Sequence, residues 1–210
     1  MENNLKLLQQ FTKNFDEVKQ LLDEHKTISK QIRTVERKLK TVEAKYKFLT
    51  DLISKGGTGK TIEKASKLLF KSAGFDHVRH LTKVRPERED LQIWCDDCLI
   101  LVECKGIKSS VPPDHEISQI KKYIDHRKNI VKSQLPVFGL TILNHDNSKD
   151  WDNRNPNPVD NQKNEYAMAS EYGIVTTLDL VQGFILLKNK GITFEQFKNL
   201  IKRQGLIKFK

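Results

Sequence analysis

The chain has 210 residues, 37% of them hydrophobic, with ten Phe, four Tyr and two Trp, enough for one core plus an extended appendage. Its formal net charge of +10 favours a polyanionic partner through non-specific electrostatics without separating DNA from RNA. Three Cys, an odd number, argue against a disulfide scaffold. The start, Met1-Glu2-Asn3-Asn4-Leu5-Lys6, does not read as a signal peptide, and no apolar run approaches the roughly 20 residues of a membrane span. A cytoplasmic protein with no membrane partner is expected.

Apolar residues recur at Leu8, Phe11, Phe15, Val18 and Leu22. After a shift near His25 they resume at Ile28, Ile32, Val35, Leu39, Val42, Tyr46, Leu49 and Ile53. The spacings alternate three and four, a heptad pattern. The step Leu22–His25–Ile28 breaks phase as a stammer and locally overwinds a supercoil. No Gly or Pro precedes Gly56, and the polar positions are rich in Lys, Glu, Gln and Arg, good helix formers. The pattern predicts a helix from about Leu5 to Ile53, roughly 70 Å long, within a coiled-coil-like rod spanning residues 1–54. Such a helix is marginal alone. A second copy of the chain is the first candidate partner, with another protein, or a hairpin broken near His25–Lys30, as alternatives.

Ser54-Lys55-Gly56-Gly57-Thr58-Gly59-Lys60-Thr61 resembles a phosphate loop, but Ser54 stands where the ordinary pattern has its first Gly. The variant of the chromosome-partitioning ATPases is matched by Lys55, Gly56, Gly57, Lys60 and Thr61. A phosphate loop must leave a buried strand, whereas the tail of the rod precedes this one. The simpler reading is that Gly56-Gly57 ends the rod, and Thr58 or Thr61 caps a helix of about Thr61–Ala73 ended by Gly74. Amides at the turn, with Lys55 and Lys60, remain candidates for holding a nucleic-acid phosphate.

Phe75–Val84 suits a strand and Arg85–Glu89 a turn. Leu91–Cys95 and Cys98–Cys104 then read as two strands joined by Asp96-Asp97. A two-residue turn there sets Cys95 against Cys98 and Trp94 against Leu99, and counting back sets Asp90 against Glu103. Lys105 shares the face of Glu103, and Cys104 points the other way. Two carboxylates so placed repel unless a cation joins them. Asp90 and Glu103 therefore suit Mg²⁺ or Mn²⁺, with the Cys104 carbonyl as a further oxygen ligand. The metal activates a water and polarises a phosphate, and Lys105 positions that water or stabilises developing charge.

The acid, then Glu103-Cys104-Lys105, resembles the PD-(D/E)xK, or restriction-endonuclease-like, nuclease superfamily. Asp90 matches the first acid, Glu103 the second and Lys105 the lysine, with Glu89 where the family usually has proline. Glu63 matches the additional acid of the preceding helix, and the resemblance implies a catalytic and metal-binding role for it. Gln119-Ile120-Lys121-Lys122-Tyr123 resembles the Q-x-x-x-Y element of the RecB-type and Cas4-type branch, implying that Gln119 and Tyr123 orient the site and contact nucleic acid. The two are four apart, on one helical face. The resemblance covers roughly residues 55–180. It implies an α/β fold, a mixed central sheet flanked by helices, in a nuclease-like domain of residues 55–210.

Cys95-Asp96-Asp97-Cys98 has zinc spacing but lacks the second pair that a structural site wants. A helix of about Pro113–Val131 points Ile117, Ile120, Ile124 and Val131 inward. Lys121, Lys122, Arg127 and Lys128 lie on its outer side, a candidate phosphate-contacting face. Pro136–Leu143 suits a buried strand. The polar loop Asp146–Gln162 is long enough to be functional: Trp151 either stacks on a base or anchors the loop, and His145 is read as an exposed helper. Asn164–Tyr172 reads as a helix ended by Gly173, Ile174–Thr177 as a strand, and Leu178–Lys188 and Ile192–Ile201 as helices, with a basic tail at the sheet edge. The run Tyr172–Leu180 resembles the closing segment of some restriction-like domains in phage-defence and repair proteins. The leading reading is a metal-dependent DNA nuclease. The alternatives are a catalytically silent nucleic-acid-binding module on a coiled coil and a partitioning-type ATPase using Lys55–Thr61.

Overall fold

A computed structural model describes residues 2–81, 89–131 and 133–209, with side chains described for these except 2–16 and 130. The chain divides into two compact units, Met1–Lys47 and Phe48–Lys210. The described residues of the first are helical, supplied by α1 (Glu2–Ile53). Its stripe from Val18 to Val42 keeps the predicted spacing, and Val18, Leu22, Ile28, Ile32, Val35, Leu39 and Val42 are each more than half exposed.

In the second unit the end of α1 buries Phe48 and Leu52. Gly56, at φ 71°, occupies the left-handed region that favours glycine. Helix α2 (Gly59–Ala73) begins two residues earlier than the pattern predicts. Thr58 stands at its N-cap, and its hydroxyl bonds that of Thr61 (3.2 Å) rather than a backbone amide. Gly74 ends it at φ 120°. Because α1 runs to Ile53, no strand leads into Lys55, and the partitioning-ATPase reading loses the element it requires.

Among the described residues six strands form one mixed sheet in chain order: β1 (His77–His80), β2 (Leu91–Trp94), β3 (Leu99–Gly106), β4 (Val137–Asn144), β5 (Tyr172–Thr176) and β6 (Gly205–Ile207). β1, β2 and β3 pair antiparallel. The later pairs are parallel, because a helix intervenes at each step and returns the chain to the same end. These helices are α3 (Asp114–Asp125), α4 (Asn161–Ala169), and α5 (Thr177–Lys188) with α6 (Phe194–Ile201). The basic tail contributes β6 at the sheet edge.

Side-chain alternation along β3 assigns the two faces. Leu99 and Leu101 join Ile117, Ile120 and Ile124 of α3, with Tyr172 and Ile174 of β5, in one core cluster. Cys104 points the other way, its Sγ donating to Ser66 Oγ of α2 at 3.8 Å. Helices α2 and α3 therefore cover opposite faces. This explains why β3 is apolar on both sides from Leu99 to Val102.

Several boundaries differ from the sequence reading. The strand expected over Phe75–Val84 is described only as His77–His80, and residues 82–88, with most of the Arg85–Glu89 turn, lie outside the described residues. Helix α3 ends at Asp125 and continues as one π-helical turn, His126–Ile130, which leaves Val131 48% exposed instead of inward. The helix expected over Asn164–Tyr172 runs Asn161–Ala169, started by Asp160, whose carboxylate accepts from the Lys163 amide at 2.8 Å. Glu171 at φ 61° turns the chain, and Tyr172 and Gly173 are buried strand residues rather than a helix end.

Candidate active site

The turn Asp96-Asp97 sets the register as its length requires: Cys95 N–H donates to Cys98 O (2.9 Å), Trp94 pairs with Leu99, and the ladder runs to Leu91 against Val102. At the next step the strand departs from a plain ladder. The Asp90 amide donates to Val102 O (3.0 Å), so Asp90 does not continue the ladder opposite Glu103 as the two-residue turn alone predicts. The Asp90 carboxylate instead accepts the Cys104 amide, with Oδ2 at 2.9 Å. A carboxylate thus replaces a strand as partner for the backbone of β3 where β2 runs out.

Glu103 and Lys105 lie on the α3 face. The Lys105 ammonium is 2.8 Å from Glu103 Oε1 and 3.4 Å from Glu116 Oε2, and it donates to Gln119 Oε1 at 2.6 Å. Gln119 Nε2 donates in turn to the Tyr123 hydroxyl at 2.7 Å. Burial alone pulls the Lys105 pKa down, but the hydrogen bond and charge of Glu103, then Glu116, outweigh it and hold the value above 10.5. Lys105 is thereby kept charged. Burial, then the charge of Glu103, raises the Tyr123 pKa, so it stays a neutral phenol.

Glu63 approaches from α2, on the opposite face. It is 5% exposed, and its Oε2 lies 2.7 Å from His80 Nε2 of β1. Gly59 leaves open the place where a Cβ would stand 3.7 Å from Glu63 Oε1 and 4.0 Å from the Cys104 carbonyl oxygen. Burial, then the charge of Asp90, with Glu103 and Glu63 adding, lifts the Cys104 thiol well above its ordinary value against the hydrogen bond to Ser66. The three carboxylates thus surround one stretch of β3. They do not form a set of three whose oxygens all lie within 4.8 Å of one another, as follows from Glu63 and Glu103 reaching β3 from opposite faces. The donors are all oxygens, the kind that Mg²⁺ and Mn²⁺ prefer. By donor chemistry they suit a hard divalent cation, while as placed they do not converge on one point.

Four contacts beside this array are absent from the sequence reading. Glu116 was legible, lying three residues before Gln119 on the same stripe of α3. His80, the partner of Glu63, had no signal beyond its strand. Glu89, at the usual proline position, is 3% exposed and accepts from Arg127 at 3.0 Å and from Gln92. Arg154 pins the long loop: it donates to Asn144 Oδ1 and, through Nη2, to the carbonyls of Ile53 (2.8 Å) and Ser54 (3.3 Å).

The outlying candidates separate. Lys60 is exposed, and Lys55 stands 4.0 Å from Asp150 in an exposed pair. On the outer side of α3 and the turn after it, Lys121 pairs with Asp125, Lys128 with Glu171 and Arg127 with Glu89, while Lys122 is exposed. Trp151 is 57% exposed, so Arg154, not Trp151, anchors the loop. His145 is no exposed helper. It is 2% exposed, with Nε2 2.7 Å from Asn155 O. Among the described residues Cys95, Asp97 and Cys98 bring ligand atoms within 4.8 Å of one another. That is one short of the usual four zinc ligands, and Asp97 is engaged by Lys198 and Lys202, each at 3.4 Å.

Burial lowers the His145 pKa below its ordinary 6.5. The unfolded chain then takes up this proton first, so its stabilising contribution is complete above pH 6.5 and falls as pH drops towards the folded value. Urea midpoints measured between pH 7 and pH 5 should decline, and less steeply in His145→Gln. Equal slopes in the two proteins would rule this contribution out.

A six-stranded mixed sheet with helices on both faces gives this chain a restriction-endonuclease-like fold. Its likeness to the structure of restriction endonuclease FokI has a TM-score of 0.53 at 14% identity, over 77% of this chain and 30% of that one. For FokI bound to DNA the values are 0.55 and 13%, with the same coverage. The chain thus spans about a third of FokI's length. The small subunit of the heterodimeric restriction endonuclease R.BspD6I gives 0.48 at 14% identity, over 66% of this chain and 75% of that one. No family model and no curated protein matches the sequence.

Proposed function

We propose that this chain is a metal-dependent nuclease that hydrolyses phosphodiester bonds, with DNA as substrate, in phage defence or repair. One observation carries the reading: on a restriction-endonuclease-like fold, Glu103 and Lys105 sit 2.8 Å apart beside Gln119, where the Asp90 carboxylate closes the end of β3. DNA is favoured over RNA because the similar FokI structure is a DNA complex.

Asp90, Glu103, the Cys104 carbonyl and Glu63 would hold Mg²⁺ or Mn²⁺, which supplies Lewis-acid activation of water and phosphate. His80 holds one oxygen of Glu63 and thereby orients the other. The charged Lys105, fixed by Glu103, Glu116 and Gln119, stabilises negative charge developing on the phosphoryl oxygens without having to reorganise. Tyr123 holds the Gln119 amide. Lys55, Lys60, Lys121, Lys122 and Trp151 serve the nucleic acid, the lysines at phosphates and Trp151 by stacking. The rod of residues 1–54 associates with a second copy or another protein and presents the nuclease domain, residues 55–210, to its substrate.

Labelled single- and double-stranded DNA and RNA, incubated with Mg²⁺, Mn²⁺ or EDTA, test the reading. Cleavage of DNA should appear with either ion and vanish with EDTA and in Asp90→Ala. Cutting that persists in EDTA, or that survives both Asp90→Ala and Lys105→Ala, excludes this site. Binding without cutting under every condition would make the chain a silent module.

A further inference from the structure

The rod carries an apolar stripe whose flanks identify what covers it. Ile28, Ile32, Val35, Leu39 and Val42 are 52% to 63% exposed. Their spacing places Ile32 and Leu39 at the a positions of a heptad, and Ile28, Val35 and Val42 at d. The g positions are then Gln31, Lys38 and Lys45, and the e positions are Ser29, Glu36, Glu43 and Thr50.

We propose that the stripe is covered by another copy of this chain in a parallel, in-register coil. This rests on the reading of the rod as an association segment and adds the identity and direction of its partner. In a parallel coil each g residue meets the e residue five positions further along the other strand. Lys38 then meets Glu43 of the other copy on both flanks, and Gln31 meets Glu36. An antiparallel pair sets g against g and e against e, so lysine faces lysine and glutamate faces glutamate. The flanks are self-complementary in one direction only. The β-branched residues at d also admit a third or fourth copy, with the same pairing repeated at each interface. Parallel order brings the C-terminal ends of the rods together, so the domains that follow them emerge at one end of the coil.

Sedimentation of the full chain without nucleic acid tests this, with circular dichroism as a check on folding. A homomer is expected. Lys38→Glu alone and Glu43→Lys alone should each weaken it roughly tenfold, and the double variant should regain wild-type association. A chain that stays monomeric at about 50 µM overturns the proposal. A homomer indifferent to, or strengthened by, either single change overturns the parallel register, because in an antiparallel coil a reversed charge faces its own kind or relieves a like-charge pair. Asp90→Ala should associate as wild type does, so failure of the nuclease reading and failure of this one are told apart.

Discussion

Lys105→Met is expected to lower the metal-dependent cleavage rate by about 10²- to 10³-fold, the usual cost of losing one preorganised stabiliser of transition-state charge. Methionine keeps the bulk of the side chain and removes the charge, so the domain should still fold. The loss should fall on kcat more than on KM, since the lysine is held by Glu103, Glu116 and Gln119 and in the proposed role acts on charge that develops only during the reaction. The wild-type rate should not decline between neutral and mildly alkaline pH through Lys105, because its pKa stands above 10.5. Gln119→Ala loosens the lysine without removing it and should cost less. Single-turnover rates at saturating Mn²⁺ decide the matter. A Lys105→Met protein that cleaves within about threefold of wild type would remove this residue from the chemistry.

Arg154→Ala is expected to destabilise the second unit by about 3 kcal/mol, the scale for breaking a buried, multiply bonded charged group. The guanidinium is 6% exposed and ties the loop after β4 to Asn144 and to the backbone carbonyls of Ile53 and Ser54. Removing it takes this donor from the buried Asn144 and from two half-buried carbonyls. For a domain of this size the loss corresponds to a fall in Tm of about 6–12 °C. The loop also carries Trp151, so if that ring stacks on a base as proposed, DNA affinity should drop with it. Arg154→Lys keeps the charge but not the planar fork and should recover only part of the stability. A melting temperature within about 2 °C of wild type would show that the loop is anchored by its other contacts.

Much of the fold was legible because its signals are local. Three-four spacing marked the rod, Asp96-Asp97 set the register of β2 and β3, and strand alternation separated Lys105 from Cys104. The end of α2 was announced by Gly74, whose φ of 120° other residues rarely adopt. Where local signals conflict, they mislead. Asp160 was a better helix start than Asn164, and Tyr172-Gly173, read as a helix end, proved to be a strand whose burial on both faces shows no alternation.

The sequence by itself determined the pair of Glu103 and Lys105 on one face of β3, because that rests on period two alone. Only the tertiary structure decided what surrounds it. The hairpin says nothing of which helix covers which face, so Glu63 arriving from α2 and Gln119 from α3 could not be placed on opposite sides of β3. The His80–Glu63 pair, the Arg127–Glu89 pair and the Arg154 anchor join residues 17, 38 and about 100 positions apart. Such contacts leave no periodic trace in the chain, since they form only when packing brings distant polar groups together and burial obliges them to find partners. The same packing turned His145 from a supposed surface residue into a buried, neutral one.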